Sequence, residues 1–381
     1  MVLAGESTKM KSGDKKIKLA IVIPNLYKGG AEKVLVNFVN NLDYSKYEPL
    51  IFCLKKEGDL IAAVNSQVVI EDLNSPRVYF SIWQIRKYLK KHKPDVLIGW
   101  MGHVNAVLAF YKFWLPSKLV LICRESSIPS KFIKYYRAPG LFRFLYRFLN
   151  RYDGIICQSD AMKQDLVKNF GVTQSKIEVI NNPVVVSADT NEISKEVETF
   201  IENAEKVLLF VGRFSAEKRI SLLSDVMMVL PEGYKLILIG YGPQEATIRK
   251  EVNDKKLTHR IHLVTDCSNP AAFYERADCL LLTSAFEGFP NVVLEANALG
   301  CPACIYKTVG GAAEIITSEN GIYISPNSET GMNDFAEAIQ KICTQPTIFG
   351  REKIRKSTEQ KFGVKVIMNQ YMDYIGQMVH L

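Results

Sequence analysis

From Lys16 onward, short β-branched apolar runs alternate with amphipathic segments, and the runs are apolar at every position rather than at every second one. A strand with one wet face alternates, whereas a strand covered on both faces by helices does not. The pattern therefore demands parallel sheets built from βαβ units. In the first half the strand runs fall at 17–23, 49–54, 68–70, 95–100, 118–123, 153–157 and 176–180. In the second half they fall at 206–211, 235–240, 260–264, 278–283, 302–306 and 321–324. A chain of 381 residues with this many strands predicts an α/β fold of two Rossmann-like, doubly wound domains with a cleft between them. The longest apolar stretch, Val104–Cys123, is broken by Lys112, Pro116 and Lys118, which excludes a membrane span there.

The polar stretch 187–205 separates the halves and reads as a linker, giving domains at 1–187 and 188–363. The segment 364–381 has helical spacing (Val364, Ile367, Met368, Tyr371, Ile375) and is expected to pack back on the first domain. The formal net charge of +8 divides sharply at the same boundary. Residues 1–187 hold 28 Lys/Arg against 15 Asp/Glu, and residues 188–381 hold 20 against 25. The basic excess thus belongs to the first half, where an anionic partner is expected. Eight cysteines, most of them inside apolar runs, read as small buried hydrophobes. Cys301-Pro-Ala-Cys304 has redox spacing but lies between a helix and a strand, and is read as packing. Met1–Lys16 lacks the apolar core of a signal peptide, so the expected location is cytoplasmic.

Four segments carry chemistry. Gly29 and Gly30 follow the first strand and open a helix, where free N–H groups and the helix dipole favour a phosphate. Glu287-Gly288-Phe289-Pro290-Asn291 leads into a second helix that carries Glu295, with Pro290 as its expected first residue. A diphosphate on that helix start, with a sugar near each carboxylate, is a nucleotide-sugar arrangement, because carboxylates accept paired hydrogen bonds from vicinal hydroxyls. Arg213 and Lys218 follow the strand 206–211 and supply a fork and a point charge for a leaving diphosphate. The sequence has no Asp-x-Asp and no His/Asp cluster with ligand spacing, so the clamp is read as metal-independent, with no cofactor. In the first half, His103 and the pair Arg124, Glu125 follow successive strands and are read as an acceptor-facing wall.

These segments resemble the retaining glycosyltransferases of family 4, which have the GT-B fold. The resemblance is carried by Gly29-Gly30-Ala31-Glu32, His103, Gly212-Arg213 with Lys218, Gly240-Tyr241-Gly242-Pro243 and the block from Glu287 to Glu295. Gly300-Cys301-Pro302 and Gly310-Gly311 with Glu314 extend it. It implies that Arg213 and Lys218 hold the donor diphosphate, and that Glu287 with the Gly288–Asn291 backbone engages donor sugar and phosphate. It further implies that Glu295 binds the ribose, that His103 touches the donor sugar, and that Gly29 and Gly30 line the phosphates. Catalysis would then rest on Glu287, His103, Arg213 and Lys218, with UDP as the expected nucleotide. The family commonly has a glycine near the base, where this chain reads Leu263-Val264-Thr265-Asp266, so base contacts are not carried over.

Lys131 to Arg151 contains six Lys/Arg, seven Phe/Tyr and no acid. On a helix from Leu141, Leu141/Leu145/Leu149 form one stripe and Arg143/Arg147/Arg151 the opposite one. With Lys131, Lys134 and Arg137, that pattern fits an anionic membrane surface. Residues 86–93 add further cations, and no recognised nucleic-acid module accompanies them, so nucleic acid is not an expected partner. The expected reaction is sugar transfer to a lipid-linked glycan at the cytoplasmic membrane face. The competing readings are a soluble transferase with a small acceptor and a non-catalytic membrane- or polyanion-binding protein of the same fold.

Overall fold

The structure is a computed structural model that describes residues 15–135, 140–185, 193–267, 269–325 and 327–380. The chain divides into two compact units, Met1–Pro183 with Val364–Leu381, and Val184–Gly363.

In the first unit seven strands form one parallel sheet: β1 (Ile17–Ile23), β2 (Tyr47–Cys53), β3 (Val69–Asp72), β4 (Val96–Gly99), β5 (Val120–Arg124), β6 (Gly154–Cys157) and β7 (Ile177–Val179). Their order is β3-β2-β1-β4-β5-β6-β7, in register from Ile17 opposite Tyr47 to Ile23 opposite Cys53. Leu19 through Ile23 are all buried, so both faces of β1 are covered, as the unbroken apolar run requires. Each such side chain contributes roughly 1.5–3 kcal/mol by leaving water. The helix Val364–His380 completes this core, with Ile367, Met368, Tyr371, Tyr374 and Ile375 packed among residues of β1 and the helix Gly30–Asn40. Tyr371 meets Phe38 edge-on at 5.1 Å.

The second unit holds a six-stranded parallel sheet of β8 (Lys206–Val211), β9 (Tyr234–Ile239), β10 (Ile261–Val264), β11 (Cys279–Leu282), β13 (Ala303–Tyr306) and β15 (Gly321–Ile324). The order is β10-β9-β8-β11-β13-β15. Two further strands, β12 (Phe286–Glu287) and β14 (Val309–Gly310), form a separate parallel ribbon. In each sheet the winding direction reverses once, between β1 and β4 and between β8 and β11, and open α/β sheets bind ligands outside the carboxyl ends of such strands.

Three expectations change. The stretch 187–205 is not all linker: Ser194 caps a helix Lys195–Ile201, which buries Val197 and Ile201 in the second unit. The basic aromatic segment is not one α-helix, because Gly140–Leu145 is α-helical and Tyr146–Arg151 is a 3-10 helix. The three-residue period of that turn puts Tyr146 and Leu149 on one buried face, while Leu141, in the expected apolar stripe, is exposed. Third, Pro290 is the N-cap, with ψ 105°, and Asn291 is the first helical residue. Cys301 and Cys304 are both buried with free thiols, and burial pushes the Cys301 thiol up to about 12, so neither is reactive.

Candidate nucleotide-sugar site

In the second unit, the segments after β8 and β11 meet above the point where the sheet reverses. Gly212–Lys218 leaves β8, and the turn Ala216–Lys218 ends in Arg219, whose φ of 49° is left-handed. Gly240 allows this loop its close approach to the one after β9, since a Cβ there would stand 1.9 Å from the Gly212 carbonyl oxygen. Arg213 projects into solvent and makes no ion pair among the described residues. Lys218 is mostly covered, and its Nζ donates to Glu287 Oε1 at 2.6 Å. Glu287 lies in β12, not in an irregular loop, and Gly311 N–H donates to its carbonyl at 3.3 Å. Gly288, Phe289 and Pro290 are buried and lead into the helix Asn291–Ala298. Glu295 is the fifth residue of that helix, half-buried, and accepts a hydrogen bond from the Tyr274 hydroxyl at 3.1 Å. Burial, with the carboxylate beside it, raises the Tyr274 hydroxyl well above its ordinary value, so it stays a donor.

These segments place Lys218 against Glu287, with Arg213 on the same exit from β8 and Glu295 on the helix that follows Glu287. Among the described residues these segments offer a cation without an ion pair, a cation held by a carboxylate, a helix N-terminus and a carboxylate oriented by a phenol. Such a set can neutralise a diphosphate and accept hydrogen bonds from sugar hydroxyls. Tyr274 was not legible as part of it, because a tyrosine in an apolar run reads as core.

The first unit answers the sequence reading differently. His103 is the second residue of the helix Gly102–Phe110, which follows β4 at the reversal point, and burial lowers its pKa, leaving the ring neutral at pH 7. At the start of the helix Gly30–Asn40, a Cβ on Gly29 would meet the Glu32 carboxylate at 2.2 Å. The Glu32 carboxylate thus folds back against Gly29 at the helix start. Arg124 and Glu125 are fully buried and form no wall. The Arg124 guanidinium lies 4.2 Å over the Trp100 ring and donates to the Tyr371 hydroxyl at 3.0 Å and to Asn182 Oδ1 at 2.7 Å. Glu125 Oε1 accepts from Asn105 Nδ2 at 2.9 Å, and burial pushes its carboxyl up to about 7, against the opposing hydrogen bonds. Lys131, Lys134, Arg143, Arg147 and Arg151 are exposed, and Arg137 lies outside the described residues.

Two family profiles match the chain side by side, Glycosyltransferase Family 4 over residues 28–188 and Glycosyl transferases group 1 over residues 191–361. The chain belongs to the family 4 glycosyltransferases. Among relatives of this glycosyltransferase, the amylovoran biosynthesis glycosyltransferase AmsD of Erwinia amylovora is 26% identical over 94% of this chain and 99% of its own. A Campylobacter jejuni enzyme named GalNAc-alpha-(1->4)-GalNAc-alpha-(1->3)-diNAcBac-PP-undecaprenol alpha-1,4-N-acetyl-D-galactosaminyltransferase is also 26% identical, over 95% of this chain and 99% of its own. Among solved structures, Anabaena HepE in complex with UDP-glucose superposes with a TM-score of 0.79 at 19% identity, covering 95% of this chain and 100% of that one. That likeness establishes the GT-B fold of two parallel-sheet domains for this glycosyltransferase.

Proposed function

We propose that this glycosyltransferase moves a sugar, with retention, from a UDP-linked hexose or N-acetylhexosamine to a lipid-linked glycan at the cytoplasmic membrane face. The observation that carries the donor half is the Lys218–Glu287 pair at the carboxyl ends of β8 and β11, with exposed Arg213 on the same exit from β8. In this reading the bond from the anomeric carbon to the diphosphate breaks and the acceptor oxygen bonds on the same face. A leaving phosphate oxygen takes the acceptor proton. Arg213 and Lys218 balance the developing negative charge, so no metal and no protein nucleophile are required. Glu287 orients the sugar and Glu295 takes the ribose hydroxyls.

The acceptor half is supported by the surface of the first unit and by the name of the Campylobacter relative, which specifies a diphospho-undecaprenol-linked glycan. Exposed Lys131, Lys134, Arg143, Arg147 and Arg151 lie among exposed Phe132, Leu141 and Phe144. A second cluster adds Trp83 and Phe113, 62% and 65% exposed, with the Arg86 guanidinium 6.0 Å from the Trp83 ring. Basic side chains with interleaved aromatics suit a headgroup layer. No helix among the described residues is long and apolar enough to cross a membrane. The test is a panel of nucleotide sugars offered with a lipid-diphosphate glycan in the presence of EDTA, followed by anomeric NMR of the product. Transfer with retention from a UDP-sugar is the expected result. Inversion, a strict need for added metal, or transfer to water-soluble glycans alone would overturn the corresponding part of the reading.

A further inference from the structure

Arg219, which follows Lys218, is absent from every group of residues assigned above. Its guanidinium donates to four carbonyl oxygens: Nε to Thr283 at 2.6 Å, and Nη2 to Ser284, Tyr306 and Lys307 at 3.0, 3.1 and 2.9 Å. Thr283 and Ser284 follow β11, and Tyr306 and Lys307 close β13, so one side chain joins the exits of two neighbouring strands. Immediately beyond those exits run β12 and β14, the two-residue ribbon that carries Glu287.

Two of the five non-glycine residues at positive φ among the described residues meet here, Arg219 at 49° and Lys307 at 50°. A side chain in that region is strained unless its surroundings fix it, and glycine would relieve the strain. The strain is kept where a guanidinium is gained. Nearby hydroxyls do not share the task, since buried Ser284 Oγ and Thr308 Oγ1 have no hydrogen-bond partner among the described residues. The same turn is tied at two further points to the segment that leads from β11 into the ribbon. Thr283 Oγ1 donates to the Lys218 carbonyl at 2.8 Å, and Ala285 N–H donates to the Glu217 carbonyl at 2.7 Å.

We infer that Arg219 is a positioning residue for sugar transfer: its guanidinium locks the β12–β14 ribbon to the turn after β8 and so fixes Glu287 against Lys218. The inference rests on the donor-site reading for its catalytic consequence but not for its structural one. A planar fork with several donors can reach carbonyls from two strand exits at once, which an ammonium on a longer leash cannot hold in one geometry. A misplacement of about 1 Å in such a site can cost on the order of 10²-fold in rate.

The test compares the wild type with Arg219→Gly and Arg219→Lys. Glycine removes the guanidinium and relieves the positive φ, which separates loss of the clamp from loss of the fold. Two amides report on the ribbon, Val309 N–H to the Ala285 carbonyl and Gly311 N–H to the Glu287 carbonyl. In Arg219→Gly, hydrogen exchange at both is expected to speed up by about tenfold or more while exchange in β8 and β9 and the thermal midpoint hold. With UDP-sugar, kcat is expected to fall ~10- to 10²-fold with the donor KM within about threefold. Low millimolar guanidinium should restore part of the rate in Arg219→Gly and none in wild type, and Arg219→Lys should recover less than half of it. Unchanged exchange at Val309 and Gly311 would overturn the clamp whatever the donor is. Faster exchange with unaltered kcat would reduce Arg219 to a structural tie. A wild type that turns over no nucleotide sugar would sink the donor reading and with it the catalytic consequence, while the exchange arm still decides the clamp.

Discussion

The two units have the same sheet plan and treat charge at their strand ends in opposite ways. In the second unit the carboxyl ends of β8 and β11 carry opposite charges in contact, Lys218 to Glu287 at 2.6 Å, and Arg213 on the same exit from β8 is exposed. In the first unit the charged side chains after β5 are withdrawn completely. Arg124 is held by an aromatic ring, a phenol and an amide, and Glu125 by an amide and a burial that favours its neutral form. What stands at the reversal point there is a neutral imidazole. A charged site at a strand exit can exchange its internal partner for a substrate's phosphates, because the incoming anion compensates the lysine that the carboxylate releases. A site that buries its charges cannot, since an uncompensated partner left behind is costly. Under the proposed function, this difference would leave anion handling to the acidic unit and give the buried charges of the basic one a structural part.

The comparison breaks most visibly at Glu287 and Arg213. Replacing either with alanine should lower turnover by ~10²-fold or more, as loss of a group that stabilises developing charge does. Steady-state kinetics with the preferred UDP-sugar would show it, and near-normal turnover would return that residue to the scaffold.

A smaller effect, on stability, sharpens the other side. The folded carboxyl of Glu125 titrates near 7, above its unfolded value, so the native state holds a proton that the unfolded chain releases. Its contribution is therefore full below about pH 4 and is lost as pH rises through about 7, with a ceiling on the order of 3 kcal/mol. Glu125→Gln keeps the shape without the titration. Its melting temperature should decline less between pH 5 and 8 than that of wild type, and parallel declines would show that the carboxyl does not titrate in this window.

The smallest effect concerns the outside of the basic unit. Arg143→Glu with Arg147→Glu should cut flotation with anionic vesicles several-fold, at about 1 kcal/mol for each basic group near the surface, and leave soluble-acceptor turnover unchanged. Equal flotation with neutral vesicles would remove the membrane from the reading.

Much of the fold was legible because thirteen strands are marked by continuous apolar runs, and such runs report burial on both faces. The ribbon β12–β14 was not, since two residues have no period. Glu287 and Glu295 stood out because they flank an expected helix start, where a diphosphate could sit with a sugar near each carboxylate. The clamp at Arg219 left no trace, because its acceptors among the described residues are backbone carbonyls 64 to 88 positions away and any residue could supply them. Arg124 and Glu125 were misread for a related reason. A charged pair after a strand looks like an exposed edge until Tyr371, 247 positions later, covers it. The basic aromatic segment had the right composition, but its side chains could not announce a change of helical pitch after Leu145.

That distant tyrosine has a consequence for how the chain is made. The second unit is contiguous, so its core can close once Gly363 has left the ribosome. The first unit is begun first yet lacks Ile367, Met368, Tyr371, Tyr374 and Ile375 until synthesis has passed the whole of the other unit. Domains usually mature in the order they are translated. Here the first unit's core, although begun first, is completed only by the helix Val364–His380, which is made after the whole of the second unit.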